Sequence, residues 1–166
     1  MATTGLTRTR GVIPWRTTDL TLSATRSAWL STTRPDGRPH AVPVWFVWVE
    51  PALYFVTGER TQKGRNLAGQ PYAVLQLGDG DEVLIVEGRT RPVRNRDELD
   101  RVERVYGDKY VEPVTGERAS VALVGSTLYR LDVHRIMTWA YGAVASRTDW
   151  VRAQDPAEPP WPEVRP

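Results

Sequence analysis

Short apolar runs alternate with turn residues along the first half of the chain. Five runs rich in Val, Trp, Phe and Tyr predict β-strands at residues 28–33, 40–49, 53–57, 72–77 and 83–93. Pro35, Asp36 and Gly37 give a tight-turn signal after the first run, and "GDGDE" from residue 78 gives another. The pattern predicts strands joined mainly by short turns.

A different period begins near residue 95. Asn95 and Glu98 match a capping-box helix start. The helix predicted at residues 96–110 would bury one apolar face, formed by Leu99, Val102, Tyr106 and Tyr110. After this helix the pattern predicts a loop and then two further strands, at residues 111–119, 121–133 and 136–140.

Two of the predicted strands carry signs of irregular pairing. The run "VPVWFVWV" at residues 42–49 scarcely alternates, so both of its faces should be covered by protein or ligand. Pro43 cannot donate to a strand ladder, which favours an edge or a locally unpaired site. Gly88, in the middle of the fifth strand, predicts a bulge or a barrel corner.

These elements predict a mainly β fold. Six or seven strands should form a small antiparallel split barrel, with a short helix after the third strand and a longer inserted helix. An all-β sandwich is the alternative. We expect a flexible basic arm at residues 1–18, a barrel domain at 19–152 and a Pro-rich tail at 153–166, whose Trp161 could dock on the body or a partner subunit.

Composition excludes several kinds of site. The 166 residues, 40% hydrophobic and 25% charged, suit one soluble domain. The absence of cysteine excludes disulfides, thiolate metal sites and thiol nucleophiles, and a cytoplasmic protein is expected. The longest apolar run is far shorter than the roughly 20 residues of a membrane-spanning helix.

The N-terminal arm is basic and has no acidic residue before Asp19. Its arginines Arg8, Arg10 and Arg16 could suggest a targeting peptide or nucleic-acid binding. The formal net charge of the chain is only +2, however. We therefore interpret the arm as a frayed, solvated terminus and expect neither a nucleic-acid nor a membrane partner.

Side chains for metal binding or direct catalysis are sparse. His40 and His134 are the only histidines, and neither has companions at metal-ligand spacing. No nucleophile-elbow pattern is present. The acidic turn at residues 79–82 lacks the spacing of a calcium loop. No metal site is expected.

The polar segment "TGERTQKGRNLAGQP" at residues 57–71 offers the strongest binding signal. It contains Lys63, one of only two lysines in a chain with 22 basic residues. Thr61 can cap a short helix, whose free N–H groups would favour an anion beside Lys63. Arg60 and Arg65 add charge, and Thr57 and Gln62 add hydrogen-bonding side chains.

The same segment has a helical pattern with one unusual residue. Lys63 and Asn66 should share one face, while Leu67 and Ala68 bury the opposite side. Gly64 is a poor helix former, so its presence suggests close approach by a ligand or another backbone. A surface turn with incidental arginines is the alternative interpretation.

The neighbouring apolar strand extends this hypothesis. A flat aromatic ligand could lie on "VPVWFVW", with its phosphate on the helix start. Trp45 and Trp48 would otherwise be core or dimer-interface residues.

Several stretches resemble pyridoxamine 5′-phosphate oxidase-like split β-barrel proteins, and more narrowly the actinobacterial flavin/deazaflavin oxidoreductases. They are "RPDGRPHAVPVWFVW", "LYFVTGERTQKGRNLAGQPYAVLQL", "VEGRTRPV" and "LYRLDVHRIMTWAYGAVASRTDW". The resemblance covers roughly residues 25 to 150. The ordered set of motifs is more specific than any single one.

The resemblance implies a homodimer with two cofactor sites at the subunit interface. Pro43, Val44, Trp45 and Phe46 would line the cofactor ring, and Thr57 and Gly58 would lie near its ribityl chain. The phosphate-binding turn would be formed by Thr61, Gln62, Lys63 and Asn66. Trp139, together with Arg147 and Trp150, would come from the other subunit.

One departure from the family pattern bears on activity. True pyridoxamine phosphate oxidases carry further basic phosphate ligands on the strand where this chain has no Lys or Arg between Ala41 and Val49. This difference argues against pyridoxamine phosphate oxidase activity itself.

The resemblance implies an oxidoreductase that passes a hydride from a reduced F420-type deazaflavin coenzyme to an activated double bond of a small organic substrate. Arg60 and Arg65 could meet the anionic coenzyme tail, and Tyr141 is a candidate proton donor by position alone. The alternatives are an FMN-dependent oxidoreductase of the same fold and a non-catalytic protein that binds flavin or tetrapyrrole.

Overall fold

The structure, a computed structural model, describes residues 5–140 and 147–153. The strands in these residues are β1 (Leu6–Arg10), β2 (Ser27–Thr33), β3 (Pro39–Val49), β4 (Ala52–Gly58), β5 (Tyr72–Leu77), β6 (Glu82–Pro92), β7 (Ser126–Ala140) and β8 (Thr148–Arg152). The helices are α1 (Trp15–Ala24), α2 (Gln62–Gly69) and α3 (Arg96–Lys109). None of these helices is both long and apolar enough to cross a membrane.

Six of the strands form a closed antiparallel barrel. The order is β7-β4-β3-β2-β5-β6, and pairing between β6 and β7 closes the ring. β7 pairs with β4 as far as Asp132, which lies opposite Ala52. Beyond that point β7 pairs with β8, which in turn pairs with β1. The predicted barrel is confirmed, and the sandwich alternative is wrong because one continuous ladder joins all the strands.

Two apolar clusters lie on opposite sides of the barrel wall. The inner cluster fills the barrel and includes Leu30, Phe46 and Leu131. The outer cluster packs α3 against β3 and β4 through residues such as Val47 and Tyr106. The prediction that both faces of β3 are covered is therefore confirmed for its second half.

Helix α3 begins where the sequence predicts. The Asn95 side chain accepts a hydrogen bond from the Glu98 backbone N–H at 2.9 Å, which caps the helix. The Glu98 carboxylate does not return to the cap; it accepts from Tyr54 at 2.7 Å and from Arg130 at 2.8 Å instead. These bonds tie the first turn of α3 to β4 and β7.

The predicted irregularity at Gly88 is confirmed. The β6–β7 register shifts between Glu87 and Gly88. A Cβ on Gly88 would lie 2.4 Å from the carbonyl oxygen of Asp132, so any larger residue would push β6 away from β7.

The predicted irregularity at Pro43 is also confirmed. β3 pairs with β2 over residues 39–45, but with β4 only over Phe46–Val49. Pro43 therefore lies where β3 has a partner on one side alone, and its missing N–H leaves no ladder bond unmade.

The later strands differ from the prediction. We expected strands at residues 121–133 and 136–140, but residues 126–140 form the single strand β7. β6 pairs with β7 from Tyr129 to Ala140, and this long partner holds the strand together across the polar residues His134 and Arg135.

The N-terminal segment is more ordered than the expected frayed arm. Leu6 is buried in β1, and Trp15 at the start of α1 packs its ring 5.1 Å from Trp150 and 6.3 Å from Trp48. These long-range aromatic contacts are absent from the local pattern, so the Thr-rich sequence does not reveal them. The predicted tail from residue 154, with Trp161, lies outside the described residues.

Candidate functional site

The barrel opens where β3 and β4 separate. Their pairing ends at Phe46 and Phe55. An extension of the same register would set Val44 opposite Thr57, but β4 continues instead along β7 and then turns into α2. The predicted ring-lining strand and the predicted phosphate turn therefore diverge from one point, which we take as the candidate site.

Thr61 caps α2 as predicted. Its hydroxyl accepts from the Gly64 N–H at 3.2 Å and donates to the Gly58 carbonyl at 2.7 Å. The Thr57 hydroxyl lies 3.1 Å from that of Thr61, so Thr57 supports the cap from the end of β4. These bonds fix the helix start and leave its remaining first-turn N–H groups without helical acceptors.

Gly64 is required by the turn itself. A Cβ at this position would lie 2.4 Å from the carbonyl oxygen of Gly58 and 2.9 Å from that of Glu59. The close approach predicted for Gly64 is therefore made by another stretch of backbone.

Asn66 has a different environment from the one predicted. It is only 1% exposed, its amide donates to Thr32 at 2.9 Å, and its oxygen accepts from Gln62 at 2.7 Å. Asn66 thus faces the barrel with Leu67, whereas Ala68, expected on the buried side, is exposed. Within one chain, Asn66 holds α2 against β2.

The basic residues of the turn are not equivalent. Arg65 donates to the Arg60 carbonyl at 2.5 Å and to Gln62 at 3.0 Å, so it braces the turn. Within the described part of the chain, neither Lys63 nor the Arg60 guanidinium has an acidic partner. Glu59, the acidic residue of the turn, accepts from Thr127 at 2.8 Å. Lys63 and Arg60 are therefore available to interact with an anion at the helix start.

The predicted ring-lining residues alternate between the two faces of β3. Val44 and Phe46 are buried in the barrel, whereas Pro43 and Trp45 point outward. Trp45 is 47% exposed and stacks on Tyr110, with ring centroids 4.7 Å apart and an interplanar angle of 2°. A flat ligand on this face would meet Pro43 and an indole that is already held in position.

Trp48 has a structural role. It is buried, and its indole N–H donates to Asp19 at 2.8 Å, which joins β3 to α1. Of the two tryptophans in the strand, only Trp45 faces the candidate site.

The end of α3 fixes β3 at the opening. The Tyr110 hydroxyl accepts from the Phe46 N–H at 2.9 Å and lies 2.5 Å from the Arg26 carbonyl, so it bridges β2 and β3 beyond their ladder. The Lys109 ammonium donates to the Phe46 carbonyl at 3.1 Å. Burial lowers the pKa of Lys109 to about 8 and raises the pKa of Tyr110 to about 12.

Sequence reasoning assigned Lys109 and Tyr110 only to a helix. One signal was present, because Lys109 is the second of the two lysines in the chain. Lys109 and Phe46 are 63 positions apart in the sequence, and the local hydrophobic pattern does not predict a contact over such a separation.

A basic cleft of about 720 Å³ lies on the far side of α2. Its lining includes Glu59 and Gly64 from the turn and three arginines, of which Arg89 and Arg91 lie in β6 and Arg94 lies just after it. Arg91 pairs with Asp132 at 3.1 Å. Neither Arg89 nor Arg94 forms an ion pair with any described residue, and Glu59 is the single acidic residue among the described lining residues, so positive charge predominates in the cleft.

The late residues expected from a partner subunit lie away from this opening in their own chain. Trp139 pairs with Val83 across β6 and β7 and lines a separate cavity beside α1. The Arg147 guanidinium lies 5.9 Å from the Trp139 ring centroid. Trp150 is buried in the core of its own chain. Tyr141, the candidate proton donor, lies outside the described residues.

In the described part of the chain, no group of three or more His, Cys, Asp or Glu side chains could hold a metal ion.

Residues 18–140 match the family model described as pyridoxamine 5′-phosphate oxidase. The matched range contains all six barrel strands, including β3, and the capped turn at the start of α2. No curated protein matches the chain.

Solved structures support the same fold. A conserved hypothetical protein, Rv2991 from Mycobacterium tuberculosis, is 24% identical, with a TM-score of 0.65 over 80% of this chain and 88% of that one. An F420 reductase is 24% identical, with a TM-score of 0.56 over 71% and 94%. A heme binding protein from Mycobacterium smegmatis is 20% identical, with a TM-score of 0.65 over 85% and 59%.

Proposed function

The chain belongs to the pyridoxamine 5′-phosphate oxidase family, and we propose that it is an oxidoreductase that uses an F420-type deazaflavin coenzyme. The coenzyme, when bound, supplies the hydride for an activated double bond in a small organic substrate. In chemistry of this kind the coenzyme carries the reaction, and the protein supplies binding and orientation.

The observation that carries the proposal is the pairing of an anion site with an opened apolar strand. The capped start of α2, with Lys63 and Arg60 beside it, suits a phosphate. Pro43 and Trp45 offer an outward apolar surface from the same opening. A phosphate-bearing flat ring system needs both features at once.

The residues of the chain would act by binding and orienting. Lys63 and the first N–H groups of α2 would hold the phosphate, while Thr57 and Gly58 would lie along the ribityl chain. Tyr110 and Lys109 keep the β3 backbone fixed where the ring would lie.

The basic cleft favours the deazaflavin coenzyme over FMN. The deazaflavin tail carries a phosphodiester and several carboxylates, and the cleft offers the guanidinium groups of Arg89 and Arg94, which form no ion pair with the described residues. FMN has no such tail, so these arginines would have no part in binding it.

We also propose that the protein is a homodimer with the site at the subunit interface. Trp29 is 54% exposed, and it lies opposite Pro43 in the β2–β3 ladder, on the same outer face as Trp45. Two large exposed aromatic side chains on one face are typical of a surface covered by a partner.

Titration of the purified protein with the deazaflavin coenzyme and with FMN, followed by fluorescence, tests the cofactor assignment. We expect tighter binding of the deazaflavin, followed by reduction of an electron-poor alkene or imine when the coenzyme is supplied reduced. A protein that retains FMN through purification would overturn the assignment. Tight binding of either cofactor, or of haem, without any turnover would favour a carrier.

A further inference from the structure

A second cavity lies between α1, the β5–β6 hairpin and the end of β7. Its volume is about 400 Å³, which is within the range of small-molecule sites. Among the described residues of the predicted cofactor site, Trp139 alone lines this cavity. Within one chain, the cavity is therefore separate from the opening between β3 and α2.

The lining of this cavity is almost free of charge. Glu82, in the exposed hairpin, is the single ionisable residue among the described lining residues. The apolar part of the wall is formed by Ile13, Pro14, Leu77, Val83, Leu84, Trp139 and Ala140. A charged ligand would lose its hydration here without gaining a partner, so the cavity selects against ions.

Thr18 supplies a polar group that lacks a partner. Thr18 is 1% exposed and lines the cavity, and its hydroxyl makes no hydrogen bond to any described residue. The neighbouring Thr21 hydroxyl, by contrast, donates to the Thr17 carbonyl at 3.0 Å. A buried hydroxyl without a partner is unfavourable, and the polar group of a bound molecule would restore the missing bond.

We propose that this cavity is a second binding site, for an uncharged, largely apolar molecule with one polar group that hydrogen-bonds to Thr18. The Trp139 indole in the wall favours an aromatic occupant, because aromatic rings gain from edge or offset stacking. The proposal does not involve the phosphate site at Lys63. Trp139, which the resemblance assigns to the cofactor site of the partner subunit, is the residue that the two sites would share.

Two fluorescent probes that differ in charge alone test the selectivity of the site. N-phenyl-1-naphthylamine is neutral and carries one N–H donor, whereas 1-anilinonaphthalene-8-sulfonate has the same rings with an added sulfonate. We expect the neutral probe to bind saturably, one molecule per chain, at least tenfold more tightly than the anionic probe. Equal affinities, or no saturable binding of the neutral probe, would overturn the proposal.

Variants locate the bound probe. Thr18→Val keeps the side-chain volume and removes the hydroxyl, and it should weaken the neutral probe about two- to tenfold. The exposed β1 residue Thr7 gives the matched control, and Thr7→Val should leave the affinity unchanged. Thr17→Leu, which adds bulk at the wall, should weaken binding further than Thr18→Val.

Two more variants separate this site from others. Lys63→Ala should keep the probe affinity of the unmodified protein even where it weakens the cofactor, so failure of one proposal does not imply failure of the other. Trp29→Ala removes an exposed apolar side chain away from the cavity. Probe binding that is lost in Trp29→Ala but retained in Thr17→Leu would contradict the assignment.

Discussion

At the scale of single residues, Lys63 and Asn66 show how position along α2 decides what a polar side chain does. Both were predicted to face a phosphate. Asn66 is buried and bonded to Thr32 and Gln62, whereas Lys63 is half-buried and has no acidic partner among the described residues. In the single chain, Lys63 remains a candidate phosphate ligand, and the amide of Asn66 is already engaged.

Lys63→Ala should weaken cofactor binding by about 1.5–3 kcal/mol, the usual size of a hydrogen bond to a charged group. Arg104→Ala removes one positive charge from the exposed side of α3 and is the matched control. Fluorescence titration of the three proteins measures the difference. Equal affinity in Lys63→Ala and the unmodified protein would mean that the phosphate lies elsewhere.

At the scale of elements, α2 contains two glycines in unlike surroundings. A Cβ on Gly64 would collide with the backbone of the turn, while a Cβ on Gly69 would meet nothing within 4 Å. The first glycine permits the helix start to approach Gly58, and the second has no packing function.

Gly64→Ala should therefore destabilise the protein by about 1–3 kcal/mol, the usual cost of forcing extra volume into a packed site. Gly69→Ala should leave stability unchanged or raise it by up to about 1 kcal/mol, since alanine is the better helix former. Urea unfolding measures the change in the free energy of unfolding for each variant, provided that the m-value is the same as in the unmodified protein. Similar effects at the two positions would contradict the close approach at Gly64.

The junction of α3 with β3 gives a pH prediction. Burial lowers the pKa of Lys109 to about 8 from its ordinary 10.5. Between these values the unfolded chain binds a proton that the folded chain has released, so this group makes the free energy of unfolding rise with pH.

Comparison with Lys109→Met isolates this contribution. From about pH 8 to about pH 9.5, the unmodified protein should gain stability relative to the variant, as measured by urea unfolding. The comparison stops at about pH 9.5 because burial raises the pKa of Tyr110 to about 12. At higher pH this tyrosine would ionise in the unfolded chain but not in the folded one, which makes the free energy of unfolding fall with pH. Parallel pH profiles for the two proteins would show that the Lys109 pKa is not lowered.

At the scale of the whole molecule, the outer face with Trp29 and Trp45 bears on assembly. Each of these side chains is about half exposed. Trp45 also lies at the barrel opening, so a partner on this face would cover the candidate site.

Trp29→Glu should convert a dimer into a monomer of 18.7 kDa, because a carboxylate would be buried unpaired at the interface. Leu20→Glu, at a similarly exposed apolar position on α1, is the control and should stay dimeric. Sedimentation equilibrium distinguishes the two masses. A monomeric unmodified protein would refute the assembly proposal.

Local sequence reasoning worked best where a single residue type has a specific backbone consequence. Pro43 predicted the unpaired stretch of β3, Gly88 predicted the bulge, and Thr61 predicted the cap of α2. It worked least well for β8 and α1, which depend on aromatic contacts between distant parts of the chain such as Trp15 with Trp150.

The sequence by itself determined the mainly β class, most of the strands and helices, the absence of cysteine chemistry and the basic turn beside an apolar strand. Hydrophobic period, proline, glycine and capping residues act over a few positions, so their effects can be read locally. The tertiary structure decided that β3 and β4 part at Phe46, that Asn66 turns inward, and that Tyr110 and Lys109 clamp the strand. It also decided that Thr18 is buried beside a largely apolar cavity, with no hydrogen-bond partner for its hydroxyl among the described residues. These features depend on contacts between residues far apart in the chain, and only the closed barrel brings those residues together.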